Sequence, residues 1–136
     1  MRNIMLSVGL AYLIAACSMS ANTQLADQEV PKFHASLDAS DFAALYDAGA
    51  QELKAVTTKQ DFVNLLEAVH RKLGAVSKSE KTGWNVNYNT GGTYATLTYT
   101  TTFARGAGTE QFVYRIEDKR ALLVGYHINS NALIVN

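Results

Sequence analysis

The chain has one cysteine and one proline in 136 residues, and no surplus of charge: 12 Lys and Arg stand against 12 Asp and Glu. A single thiol excludes an internal disulfide and any multi-cysteine zinc site. Zero net charge, with no dense Lys/Arg window, excludes the broad electrostatic footprint of a DNA- or RNA-binding protein. Scarce proline, together with 48% hydrophobic and 18% charged residues, argues against wholesale disorder. Local metal-ligand pairs are also lacking. His34, His70 and His127 lie far apart, and none has a Cys, His or carboxylate companion at ligand spacing, so no metal and no other cofactor is expected. The length is that of one domain.

What is there begins at the N-terminus. Met1-Arg2-Asn3 is a short basic start, and Ile4 to Ala16 is uncharged and apolar. Thirteen such residues are too few to span about 30 Å of hydrocarbon comfortably and fit the core of a secretory signal. Ile14-Ala15-Ala16-Cys17 resembles a bacterial lipobox. That resemblance implies cleavage between Ala16 and Cys17, diacylglycerol on the Cys17 thiol and acylation, palmitate included, of the new amine. It also gives the lone thiol of an oxidising compartment a cap. Two or three acyl chains at about 0.8 kcal/mol per buried methylene anchor a protein stably. Ser18 stands where an inner-membrane retention signal would have Asp, so the resemblance favours the outer membrane, facing the periplasm. A soluble periplasmic protein, cleaved after Ser20 or Ala21, is the alternative.

Residues 17–29 read as the lipidated Cys and a polar tether, and residues 30–136 as one domain. Pro31 biases Val30 away from helical angles, so a helix is expected to start or kink there, with Phe33 and Leu37 on its apolar side. Ser40 can cap a short second helix carrying Phe42, Leu45 and Tyr46. Thr58 to Asp61 resembles a capping box. Phe62, Leu65, Leu66, Val69 and Leu73 then follow a helical stripe that Gly74 closes.

After Gly74 the period becomes two. Trp84, Val86 and Tyr88 form one apolar row; Ala95, Leu97, Tyr99, Thr101 and Phe103 form a second. Phe112, Tyr114 and Ile116 form a third, and Leu122, Val124, Tyr126 and Ile128 a fourth. Turns are expected at Thr90-Gly91-Gly92, Gly106-Ala107-Gly108 and Asp118-Lys119. The expected fold is α+β: N-terminal helices packed on one face of a four-stranded antiparallel meander.

Helices followed by such a sheet resemble the cystatin-like or nuclear-transport-factor-like superfold. Phe33-His34 and Leu37 to Phe42 are similar to the start of small bacterial envelope domains of unknown function. So are Leu73 to Val76, Gly92-Thr93-Tyr94, Tyr99 to Phe103, Glu110-Gln111-Phe112 and Gly125 to Ile128. The resemblance implies a fold and a lipoprotein context, and no catalytic residues.

The superfold also hosts enzymes that place an acid base inside an apolar cone. Here the acids of the sheet, Glu110, Glu117 and Asp118, read as turn or wet-face residues, and His34 as a boundary residue. No nucleophile–base–orienter set is legible, so catalysis is not expected. The suggestive surface is the polar sheet face, where Asn85, Asn87, Thr98, Thr100, Arg115 and His127 could form a platform for a second copy or an envelope partner. The tail Ala132 to Val135 also needs cover. The expectation is therefore a lipid-anchored, periplasm-facing, non-catalytic binding or scaffold domain. Its alternative is a small-molecule-binding or isomerase/hydrolase-like enzyme using a cone between helices and sheet.

Overall fold

A computed structural model describes the backbone of residues 12–135 and the side chains of residues 21–135. The signal segment 1–16, its cleavage between Ala16 and Cys17, and the lipidation of Cys17 lie outside the residues described in full. The elements are α1 (Tyr12–Asp38), α2 (Phe42–Asp47), α3 (Gln51–Val56), α4 (Lys59–Leu73), β1 (Val76–Asn89), β2 (Gly92–Phe103), β3 (Gly106–Glu117), β4 (Arg120–Asn129) and α5 (Asn131–Val135). The strands form one antiparallel sheet in the order β1-β2-β3-β4. Among the described residues, no helix is long and apolar enough to cross a membrane.

Pro31 neither starts nor breaks a helix: it lies inside α1. Thr23, Ala26, Val30, Phe33 and Leu37 are all buried, at spacings of three and four, and Pro31 sits on the exposed side. A proline inside a helix costs about 3 kcal/mol. Burial of a stripe extending on both sides of it outweighs that cost. Residues 21–29, expected as tether, are therefore packed helix, and the core begins at Thr23. Thr23 and Ala26 are too small or polar to show as an apolar stripe in the sequence.

Thr58 caps α4, its Oγ1 accepting from the Asp61 amide at 3.1 Å, and Phe62, Leu66, Val69 and Leu73 face the core. Gly74 follows with φ +79°, a conformation that favours glycine. Ser40 does not cap α2. It takes φ +59°, and Asp41 precedes the helix without a side-chain cap bond. The second hairpin turns at Ala104-Arg105, so Gly106 opens β3. Arg105 explains this position, because its guanidinium donates to the carbonyls of Arg71 and Lys72 and its amide donates to that of Leu73. The turn thus satisfies the carbonyl end of α4. A Cβ on Gly106 would stand 2.7 Å from that of Ala132, so only glycine lets α5 approach β3 here.

The core lies between the inner sheet face and α1 and α4. Phe33, Phe112 and Tyr126 form its centre, with ring centroids 4.6–5.2 Å apart. Two departures from simple alternation reshape the inner face. In β4, Val113 pairs with Gly125 but Tyr114 pairs with Leu123, so Val124 is bulged out. Leu123 and Ala121 then join Tyr126 in the core, while Leu122, expected inside, pairs with outer-face Arg115. On the edge strand β1, Trp84 and Tyr88 do take the inner side, yet they remain 53% and 55% exposed. α1 meets this edge through Asn22, whose amide donates to the Tyr88 hydroxyl at 3.3 Å, and leaves the two rings largely open. The tail is partly covered: Ala132 and Leu133 pack on the core, whereas Ile134 and Val135 stay exposed.

Candidate functional site

Strand parity places Glu110 in phase with Phe112 and Tyr114, and the side chain is in the core with no exposed surface. This corrects the expectation that it lies on the wet face. Its partners come from three other elements. His34 Nε2 on α1 is 2.8 Å from Oε1, Thr101 on β2 donates to Oε1 at 2.5 Å, and Tyr126 on β4 donates to Oε2 at 2.6 Å. Thr101 spends its one proton on Glu110, so Ser79 of β1 donates to Thr101 across 2.7 Å. All four strands and α1 are joined through one carboxyl group.

Burial, then the neighbouring Glu110 charge and hydrogen bond, push the Tyr126 hydroxyl well above the usual phenol range. Tyr126 is therefore a standing donor. His34, expected at the boundary, is buried beside Phe33 and Phe112 and joins the network as the fourth helical position after Val30. Deprotonated, Glu110 is satisfied by three donors; with all of them in place, it presents no free face to a substrate. Among the described residues, no group of three or more His, Cys, Asp or Glu side chains could hold a metal ion.

The six residues expected to form an interaction platform do share the outer face. Asn85 lies opposite Thr96, and Asn87 opposite Tyr94. Thr98 is opposite Gln111, Thr100 opposite Thr109, and His127 pairs with Gln111 from the other side. Asn85, Asn87, Thr100 and His127 are exposed, and Thr98 is half-buried. Arg115 is not free: Glu52 on α3 reaches the outer face and holds its guanidinium at 2.8 and 3.0 Å, and Glu117 holds it at 3.1 Å. Tyr94 also donates to Glu52, at 2.8 Å. Burial acts against the Glu52 charge, but the Tyr94 hydroxyl, a backbone hydrogen bond and Arg115 together hold its carboxyl below the ordinary glutamate range. α3 thus covers one end of the outer face, which contradicts a strict packing of helices on one face. The six-residue length of α3 and the single Leu53 that it buries leave almost no periodic signal in the sequence.

A second tie of this kind runs along α1. Asp27 accepts from Tyr99 at 2.7 Å and from Lys81 at 2.6 Å, binding the helix to β2 and β1. His70 on α4 is half-buried, with its ring 6.2 Å from that of Phe42 and its Nδ1 unpartnered among the described residues. No curated protein matches the chain. The segment from Val30 to Tyr126, which holds the interior network and every platform residue but His127, matches a family of proteins of unknown function, and the chain belongs to that family, DUF4019.

Proposed function

We propose that this chain is a lipid-anchored, periplasm-facing binding or scaffold domain of the bacterial cell envelope, non-catalytic, with a cystatin-like or nuclear-transport-factor-like fold. The observation that carries this reading is the condition of the interior. Glu110 is the acid at the centre of the interior, and it has no exposed surface and three partners on its two oxygens. A general base must come within hydrogen-bond reach of the proton that it takes. The outer face, by contrast, offers Asn85, Asn87, Thr100 and His127 to a partner. The lipobox resemblance at Ile14 to Cys17 supplies the anchor, and an outer-membrane position follows from Ser18.

Labelled fatty acid and cell fractionation test the anchor. Wild-type protein should take up label and sediment with membranes, and Cys17→Ser should do neither. Unlabelled wild-type protein in the soluble periplasm would refute the anchoring. Native mass spectrometry of membrane-purified protein tests the binding reading. A second copy or a partner, lost on substitution of Thr100 and His127 by Glu, supports it. A monomer without companions refutes the platform.

A further inference from the structure

α1 and α2 do not close fully on the β3–β4 hairpin, and a cleft of about 440 Å3 remains between them. That volume is in the range of small-molecule sites. Phe33, Tyr114 and Leu123, all buried, line it together with Leu45, and Lys32, Lys119 and Arg120 also border it. The cleft is therefore apolar inside, and its rim sets Lys32, Lys119 and Arg120 against the single acid Glu29.

Two details point to a ligand. The first is Tyr114, which is 3% exposed and has no hydrogen-bond partner among the described residues. Its two buried counterparts are both partnered, Tyr99 by Asp27 and Tyr126 by Glu110. The Tyr114 ring is buried but its hydroxyl is not wholly shut off, so it opens on the cleft and can be matched by whatever enters. Burial, followed by the charge of Glu29, raises its pKa, so it is a donor at all ordinary pH. The second is charge. Lys32 is neutralised by Glu29 at 3.1 Å, but Lys119 and Arg120 have no ion-pair partner among the described residues. Lys119 is held in the hairpin turn at φ +59°, beside Arg120 at the start of β4.

We propose that this cleft binds a small amphipathic anion: an apolar body lying on Phe33, Leu45 and Leu123, an oxygen that accepts from Tyr114, and a carboxylate met by Lys119 and Arg120. The proposal concerns a different site from the partner face above and does not rest on it. The anchor and partner tests given there do not involve the cleft, so either can fail alone.

The experiment uses the full chain, in phosphatidylcholine nanodiscs if it carries the anchor and in buffer if it does not, titrated with 4-phenoxybutyrate, whose ether oxygen can accept from Tyr114, with protein-free samples as blank. The neutral alcohol and the cationic amine of the same skeleton are the controls. The carboxylate should bind saturably, one per chain, and more tightly than either control. Lys119→Asn with Arg120→Gln, which suits the turn while removing both charges, should weaken it about tenfold and leave the alcohol unchanged. Tyr114→Phe keeps the packing and should weaken binding about threefold to tenfold. Ala48→Trp, at an exposed position lining the cleft, should abolish binding while leaving the circular dichroism spectrum intact. No saturable binding, equal binding of all three compounds, or binding untouched by Ala48→Trp would each overturn the proposal.

Discussion

Removing the Glu110 carboxyl is the sharpest perturbation of this fold. Glu110→Ala leaves His34, Thr101 and Tyr126 with donors directed into a space that no acceptor fills. Each unsatisfied buried group costs about 1–3 kcal/mol, and breaking a buried charged network by removing one partner typically costs about 3–5 kcal/mol in total. A domain of this class has about 5–15 kcal/mol to lose. For a chain of this size, roughly 3–5 °C of melting temperature follows each kcal/mol, so the midpoint should fall by about 10–20 °C. Glu110→Gln is the discriminating control. Its carbonyl can accept from His34 and Thr101 as Oε1 does, and the Tyr126 hydroxyl can turn to accept from the amide. Charge assistance is lost, and the second amide hydrogen and the Tyr126 proton lack an acceptor, so the cost is smaller than for Ala but still about 2–3 kcal/mol. A variant in which His34, Thr101, Glu110 and Tyr126 become Leu, Val, Leu and Phe should recover much of the loss, because the one donor left without its partner is the half-buried Ser79 hydroxyl. Urea melts of the wild type and the three variants measure the series. If Glu110→Ala is as stable as Glu110→Gln, the network does not hold the sheet to α1.

Further expectations concern register, caps and pH. Tyr126→Ala should cost about 3–5 kcal/mol and His127→Ala under about 0.5 kcal/mol in the same melts, since the first is buried on Phe33 and Phe112 and the second is exposed; the reverse order would void the β4 register. Thr58→Ala should cost about 1 kcal/mol through loss of the bond to the Asp61 amide, read by thermal melting. Tyr99, Tyr114 and Tyr126 all have pKa values raised by burial and neighbouring carboxylates. Unfolded phenols ionise near 10 while the folded ones do not, so their contribution is complete below about pH 10 and is lost as pH rises further. Urea midpoints measured on both sides of that pH should fall on the alkaline side, and a flat profile would contradict it.

The fold was legible where one physical signal acted alone. α4 carries a cap residue, an apolar stripe and a closing glycine, and each is where the spacing puts it. β2 alternates strictly over its length, and its even threonines face out. The signals that failed were those in which two effects competed. Pro31 marks a helix boundary only if nothing larger holds the helix together, and the small residues Thr23 and Ala26 that hold it carry little hydropathy. In β4, alternation has no means of registering the one-residue bulge at Val124. The run Leu122-Leu123-Val124, with three apolar residues in a row, is its only trace.

The candidate site was hidden by a different habit of reading, in which residue type was given precedence over position. The charge of Glu110 points to the surface, yet the residue stands two positions before Phe112 on a strand whose even positions face inward. Position alone would have buried it, and burial of a carboxylate demands donors. The same parity puts Thr101 inward on β2 and Tyr126 inward on β4, and both can donate. His34 completes the set because it follows Val30 by four residues, on the side of α1 that meets the sheet. An inward acid facing inward hydroxyls can therefore be read from four strand phases and one helix turn. Whether such an acid serves catalysis or architecture depends on whether its oxygens are already occupied. That depends on distances, which no spacing in the sequence contains.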